Sequence, residues 1–100
     1  MIIECSDLNY VTLKEDFVLL DFYSPTCGPC KMTAKYLEEF SKKHPEITIY
    51  KVDIEQYPNF IDPYQIQSVP TIVCCNWEKE LWRNSGLMTV QMLEEKFKYA

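Results

Sequence analysis

The chain of 100 residues has the length of one compact domain, and 47% of its residues are hydrophobic and 14% aromatic. This composition predicts a globular protein with a core of its own and excludes an intrinsically disordered chain. The net charge of −5, without a block of like charges, argues against a nucleic-acid-binding surface.

Membrane and secretory signals are not expected in this sequence. No apolar stretch approaches the roughly 18–20 residues of a membrane span, and residues 1–4 lack the basic and apolar regions of a signal peptide. Five cysteines, an odd number, favour a reducing compartment over a secreted disulfide scaffold. We therefore expect a single domain over residues 1–100, monomeric and cytoplasmic, with no nucleic-acid or membrane partner.

The chain begins with two short predicted elements and a central strand. Residues 2–5 predict a strand, and residues 6–13 predict a brief helix capped by a polar side chain. Residues 17–23 form an apolar run with the length and β-rich composition of a strand buried on both faces. One carboxylate, Asp21, stands inside that run, where burial costs free energy unless the group is paired.

A long helix is predicted to begin at residues 27–30, Cys-Gly-Pro-Cys, and to end before Pro45. Met32, Tyr36 and Phe40 follow one another at helical spacing, with Cys30, Ala34 and Leu37 beside them. This is the face expected to be buried. A tight turn separates this helix from the central strand. A strand, a turn and a helix start that carries two thiols form the layout that dithiol redox chemistry needs.

The second half of the chain alternates short elements. They are a strand over 47–54, a short helix over 57–64, a loop over 66–70, a strand over 71–75, a hairpin turn over 76–79, a strand over 80–84 and a last helix that Thr89 can cap. The roughly 16 residues between the two long buried strands suffice for a right-handed parallel crossover. The order βαβαβαββα predicts an α/β fold, with one mixed sheet of five strands flanked by helices on both faces.

The two residues between Cys27 and Cys30 bring both sulfurs within bonding reach on the first helical turn. There the helix dipole and the unpaired amide groups stabilise the Cys27 thiolate, which is the species that attacks a disulfide. Cys30, one turn deeper, can then displace the partner from the mixed disulfide. A buried Asp21, with its pKa raised by desolvation, could accept the Cys30 proton.

Other interpretations of the cysteines are less favoured. Half of a structural zinc site would need four ligands, and the sequence has no second Cys-x-x-Cys pair and only one histidine, so no metal is expected. Cys5, Cys74 and Cys75 are most simply small buried hydrophobic residues. The adjacent Cys74 and Cys75 would point to opposite faces of one strand, which disfavours a bond between them.

Several motifs at fixed spacing resemble the thioredoxin family, and the resemblance covers essentially all 100 residues. The matches are Asp21-Phe22, Cys27-Gly28-Pro29-Cys30-Lys31, Lys51 with Asp53, Val69-Pro70-Thr71, and Gly86. A Cys-x-x-Cys pair alone is a weak signal, and the upstream aspartate and downstream Val-Pro-Thr make it specific. The resemblance implies a thioredoxin fold and a protein-disulfide reductase.

The resemblance also implies a role for each residue of the redox centre. Cys27 would be the nucleophile and Cys30 the resolving thiol. Asp21 would be the buried proton acceptor, with Lys51 as its neighbouring charge. No cofactor is implied beyond the redox-active disulfide between the two cysteines.

A partner-binding surface beside the dithiol is implied in the same way. Pro70 would be a cis-proline that faces the sulfurs, Val69 would present backbone groups to a bound peptide, and Gly86 would help form the flat docking surface. Gly28 and Pro29 complete the active-site turn. The family's oxidants and isomerases usually carry a histidine in that dipeptide, so Gly-Pro favours a reductase.

The sequence departs from the family pattern beside the reactive sulfur. Thr26 stands where the family usually has tryptophan, and Tyr23 replaces a second tryptophan at the strand end. A hydrogen bond from the Thr26 hydroxyl to the Cys27 sulfur would favour the thiolate. We therefore expect these two positions to influence the redox potential and the range of partners.

The resemblance implies thioredoxin reductase as the source of electrons and client proteins with disulfides as their destination. Two alternatives stay open at the level of the sequence. The protein could be a dedicated electron donor to one enzyme, such as ribonucleotide reductase. It could also be a thioredoxin-fold binding subunit whose value to a partner does not depend on redox state.

Overall fold

A computed structural model of the protein describes residues 1–5, 16–77 and 79–98. Within these ranges five strands form one sheet: β1 (Ile2–Glu4), β2 (Val18–Tyr23), β3 (Thr48–Asp53), β4 (Thr71–Asn76) and β5 (Lys79–Ser85). Their spatial order is β1-β3-β2-β4-β5. The first three strands in that order are parallel, and β4 and β5 are antiparallel to their neighbours. The predicted mixed sheet is confirmed, and the helix predicted over residues 6–13 lies outside the described residues.

The described helices are α1 (Gly28–Lys43), a 3₁₀ turn (Pro58–Phe60) continued by α2 (Ile61–Tyr64), and α3 (Val90–Lys98). The segment predicted as one helix over residues 57–64 is therefore a 3₁₀ turn followed directly by a single α-helical turn. Thr89 caps α3 as predicted, accepting a hydrogen bond from the Met92 amide at 3.2 Å. None of these described helices is long and apolar enough to cross a membrane.

Helices cover both faces of the sheet, so β2 is buried on each side. On one face Leu20 and Phe22 pack with Phe60 of the 3₁₀ turn. On the other face Leu19 packs with Leu37 of α1 and Leu93 of α3. Since side chains alternate along a strand, Asp21 projects from the same face as Leu19, toward the side that α1 covers.

The buried face of α1 agrees with the predicted one only in part, since Cys30, Leu37 and Phe40 are buried but the other predicted positions are not. Met32 is 43% exposed and Tyr36 only half-buried, so of the predicted row Phe40 alone is fully buried. The residues that α1 buries are Cys30, Thr33, Leu37 and Phe40. Cys30 points toward the core, and residues that follow it at steps of three and four face the same side of the helix. Thr33 is therefore buried, and Met32 is exposed.

The hairpin between β4 and β5 turns without glycine. Trp77 takes a positive φ of 50°, and its indole N–H donates a hydrogen bond to Asp16 at 2.7 Å. The register between the strands shifts at Cys74 and Cys75. These two thiols lie in the two different core clusters, which confirms that they face opposite sides of the strand.

Replacing Gln65 by glycine should stabilise the protein. Gln65 ends α2 in the left-handed region, with φ 53° and ψ 48°, and it is exposed. A side chain in that region is strained, so Gln65→Gly should raise the free energy of unfolding by about 0.5–1 kcal/mol. The midpoint of urea unfolding measures the change.

Gln67→Gly provides the matched control, since Gln67 is also exposed but has no positive φ. There glycine only adds backbone freedom to the unfolded chain, so the control should lower the midpoint. A lower midpoint for both variants would contradict the assignment of strain to Gln65.

Candidate active site

The first turn of α1 is built around the Cys27 sulfur. Cys27 is the N-cap, with extended backbone at φ −85° and ψ 115°. The Cys30 amide donates a hydrogen bond to the Cys27 sulfur at 3.1 Å, and the Lys31 amide donates to the Cys27 carbonyl at 3.3 Å. The sulfur thus takes the place of the oxygen that usually accepts this bond at a helix start.

Cys27 and Cys30 form a disulfide, with their Cα atoms 5.2 Å apart. Cys27 is partly exposed, whereas Cys30 is only 4% exposed. When the pair is reduced, the amide hydrogen bond and the positive end of the helix dipole favour a thiolate at Cys27. One sulfur is therefore accessible and activated, and the other is held behind it.

The loop before β4 lies against the exposed sulfur. The Val69–Pro70 peptide bond is cis, and the Val69 carbonyl oxygen is 3.7 Å from the Cys27 sulfur. The Gly86 amide donates a hydrogen bond to the Pro70 carbonyl at 2.8 Å. Gly86 has φ 104°, a conformation that side chains rarely adopt. The structure thus brings Val69, Pro70 and Gly86 together beside the disulfide.

Asp21 is buried on the face of the sheet that α1 covers, with 1% of its surface exposed. Neither of its carboxylate oxygens has a hydrogen-bond partner among the described residues. Burial raises the pKa of Asp21 from its ordinary value of 3.8 to about 7, while the positive charge of Lys51 opposes the rise and the negative charge of Glu4 adds to it. Such a carboxylate can take up a proton near neutral pH.

Lys51 lies beside Asp21 in the register between β3 and β2. A small cavity of about 100 Å³ connects this lysine with Cys30. It is lined by Tyr23, Ser24, Pro25, Cys30, Lys31, Ala34 and Lys51. A cavity of that volume can hold water between Cys30 and Lys51.

The hydroxyl of Thr26 bonds to Ser24, contrary to the expected hydrogen bond to the Cys27 sulfur. Thr26 Oγ1 lies 3.2 Å from Ser24 Oγ, which in turn donates to the Glu55 carboxylate at 3.1 Å. Because Ser24 has one hydroxyl proton and gives it to Glu55, Thr26 is the donor in its own bond to Ser24. The physical reason is tertiary: the Glu55 carboxylate, which follows β3 and is 31 residues from Ser24 in the chain, orders the hydroxyl pair.

The remaining cysteines are buried thiols outside the disulfide, as predicted. Burial raises the pKa of Cys74 to about 12 and also raises the pKa of Cys75. Both thiols are therefore protonated and unreactive at neutral pH. Across the described ranges, no three His, Cys, Asp or Glu side chains are grouped so that they could hold a metal ion.

Sequence reasoning did not include Glu4 or Glu55 in the site. Glu4 reaches Asp21 only through the parallel pairing of β1 with β3, and Glu55 reaches Thr26 only through Ser24. The polar residue at the end of a short apolar strand is a weak signal, because a sequence does not specify which strands pair or in what register.

A model of the thioredoxin family matches residues 4–98 of the chain. The chain belongs to the thioredoxin family. The thioredoxin of Buchnera aphidicola is 36% identical over 98 residues, covering 94% of this chain and 91% of its own length. The thioredoxin of Chlamydia trachomatis is 38% identical over 76 residues, covering 76% and 74% respectively.

Solved thioredoxin structures share the architecture. The thioredoxin of Fasciola hepatica superposes with a TM-score of 0.79 at 31% identity, over 87% of this chain and 83% of its own. Mitochondrial thioredoxin 3 of Saccharomyces cerevisiae superposes with a TM-score of 0.87 over 99% and 95%, and at 24% identity that likeness concerns the fold alone. Family membership and the Cys27–Cys30 pair make the protein a thiol-disulfide oxidoreductase. A binding subunit without redox activity is not favoured.

Replacing Asp21 by asparagine should change how stability depends on pH. A folded-state pKa near 7 against an ordinary 3.8 means that the folded protein binds a proton more tightly than the unfolded chain. Stability from this group is present below about pH 4 and is lost as the pH rises toward 7. The free energy of unfolding of Asp21→Asn, relative to the parent, should therefore increase by about 2–4 kcal/mol between pH 4 and pH 8.

Urea unfolding of the two oxidised proteins across that pH range measures the difference. All other titrating groups are common to both proteins, so their contributions cancel in the comparison. A difference that stays constant with pH would mean that Asp21 keeps its ordinary pKa.

Proposed function

We propose that the protein is a general protein-disulfide reductase that passes two electrons from its reduced dithiol to client disulfides. The observation that carries the proposal is the asymmetry of the two sulfurs. Cys27 is partly exposed at the start of α1 beside the Val69 carbonyl, and Cys30 is buried behind it. That arrangement allows a client to meet one thiol first.

In the first step the Cys27 thiolate attacks one sulfur of the client disulfide. The client S–S bond breaks, a mixed disulfide forms, and the second client sulfur leaves as a thiolate that takes a proton from solvent. We assign Val69, Pro70 and Gly86 to the docking of the client chain, because they lie together beside Cys27. Thr26, Gly28 and Pro29 are exposed and flank Cys27 in the active-site turn.

In the second step Cys30 attacks the Cys27 side of the mixed disulfide. The Cys30 thiol loses its proton, the Cys27–Cys30 disulfide forms, and the remaining client sulfur leaves reduced. We assign proton acceptance to Asp21, which is buried and has a pKa of about 7. Lys51, its neighbour in the sheet, limits how far that pKa rises.

The cycle requires a reductant for the oxidised dithiol. A thioredoxin reductase is the proposed donor, with electrons from NADPH, and client proteins with accessible disulfides are the proposed acceptors. We place the protein in a reducing compartment such as the cytoplasm, because its three remaining cysteines are thiols outside the disulfide. We propose no nucleic-acid or membrane partner for the protein.

Insulin reduction tests the proposal. Reduced protein, regenerated by NADPH and a bacterial thioredoxin reductase, should precipitate insulin chains and consume NADPH at matching rates. Dithiothreitol in place of the reductase separates a mismatched reductase from an inactive dithiol. Cys74→Ser, which changes a buried thiol outside the site, should retain activity, and Cys27→Ser should lose it. No reduction with either electron source would overturn the proposed function.

Trapping of a mixed disulfide should distinguish the roles of the two cysteines. Cys30→Ser leaves the exposed nucleophile but removes the resolving thiol, so a covalent complex with a client should accumulate through Cys27. Cys27→Ser leaves only the buried sulfur and should trap no client. Non-reducing electrophoresis with peptide mapping detects the complex. Accumulation with Cys27→Ser alone would reverse the assignment.

A further inference from the structure

Three ionisable side chains lie side by side on adjacent parallel strands next to the redox centre. The register pairs Glu4 of β1 with Lys51 of β3, and Lys51 with Asp21 of β2. Residues paired in this way project from the same face of a sheet. One cation therefore lies between two carboxylates, of which Glu4 is exposed and Asp21 is buried.

Tyr23 crosses this row of charges. It follows Asp21 by two residues on β2 and so projects from the same face. Its hydroxyl donates a hydrogen bond to a carboxylate oxygen of Glu4, two strands away. Its ring lies 4.7 Å from the Lys51 ammonium nitrogen, a distance at which a cation is attracted to an aromatic face. Burial and the hydrogen bond to Glu4 raise the pKa of Tyr23, so its hydroxyl remains the donor.

The position of the ammonium group follows from these contacts. Among the ion pairs of the described residues, none joins Lys51 to Asp21 or to Glu4. The ammonium rests on the Tyr23 ring instead, and the bond to Glu4 fixes that ring across β3. Asp21 is thus left with a neighbouring positive charge but no direct partner.

We propose that Tyr23 and Glu4 form a clasp that holds Lys51 on the Tyr23 ring and away from Asp21, which keeps Asp21 a strong enough base for the Cys30 proton. Both are positioning residues that act through Lys51. The inference rests on the proposed function, since it concerns the step in which Cys30 resolves the mixed disulfide. Without the clasp, the ammonium can approach Asp21 and stabilise its anion, which weakens the base.

The groups around Asp21 come from every element packed against it. Along the sheet they are Lys51 from β3, Glu4 from β1, Tyr23 from β2 itself and the uncharged Ile72 from β4. Asp53 of β3 is paired with Tyr23 and acts on that residue. From α1, Cys30 and Lys31 line the small cavity that Lys51 also lines. Of the charges that act on Asp21, Lys51 stabilises its anion and Glu4 destabilises it. Loss of the Glu4 charge and closer approach of Lys51 would therefore both lower the pKa of Asp21.

Titration of the Asp21 carboxyl carbon by NMR in the reduced protein tests the clasp, with Asp21→Asn for assignment. Glu4→Gln removes the charge but keeps an acceptor for Tyr23, and the midpoint should fall by roughly 0.3–1 pH unit, the effect of a charge about 10 Å away. Tyr23→Leu removes the ring and its hydroxyl, and the midpoint should also fall. Glu38→Gln, about 12 Å along α1 from Cys30, is the matched control and should leave it unchanged.

A second background shows whether the effect passes through Lys51. In Lys51→Gln the ammonium is absent, so adding Tyr23→Leu should leave the Asp21 midpoint where Lys51→Gln alone puts it. A merely structural role of Tyr23 would move the midpoint in both backgrounds. Such a result, or an unchanged midpoint in Tyr23→Leu, would overturn the clasp.

The pH profile of single-turnover insulin reduction connects the clasp with the reaction. Its acidic limb should move to lower pH in Tyr23→Leu by the same amount as the Asp21 midpoint. If no variant and no parent protein reduces insulin, the proposed function fails, while the titrations still decide the clasp. If insulin reduction is normal and the acidic limb of its pH profile stays in place although the Asp21 titration midpoint falls, the assignment of the clasp to the Cys30 step is wrong.

Discussion

The amide of Cys30 donates a hydrogen bond to the Cys27 sulfur, and the same turn begins α1 directly after the central strand. This bond fixes three things at once: where the helix starts, which sulfur meets solvent, and which sulfur faces the core. The buried phase of α1 follows from it, because Cys30 is the first of the residues that the helix turns inward. The loop at Val69 then closes against the sulfur that remains outside.

Burial of Asp21 lowers the free energy of unfolding when the carboxyl group is ionised, and it raises the pKa of that group. A carboxylate without a hydrogen-bond partner in the described structure is costly to ionise inside a core. The apolar residues of β2 on both sides of the sheet offset that cost, since Leu19, Leu20 and Phe22 are fully buried. The result is a base whose pKa lies near neutral pH, which a solvated carboxylate could not provide.

The departures of this chain from its family concentrate at the rim of the site. Where the family usually has tryptophan, Thr26 joins Ser24 and Glu55 in a chain of hydrogen bonds on the surface. Tyr23 supplies a hydroxyl that the family's other tryptophan lacks, and it uses that hydroxyl to reach Glu4. The dithiol and the buried aspartate follow the family pattern, and an influence of the two altered positions on redox potential and partners stays a prediction.

The sequence by itself determined the elements whose signal is local: the apolar run of β2, the cap at Thr89, the turn at the two cysteines and the order of strands and helices. It also determined the chemistry, because Cys-Gly-Pro-Cys after a strand places two thiols on one helical turn. The buried face of α1 was predicted in part: Cys30, Leu37 and Phe40 are buried. Met32 is exposed instead, and Thr33 takes an inward position that the pattern did not indicate. The row Glu4, Lys51 and Asp21 and the direction of the Thr26 hydroxyl were decided by tertiary structure alone. Strand register and the orientation of a hydroxyl depend on residues distant in the chain. A local sequence pattern does not show which of those residues come together in the fold.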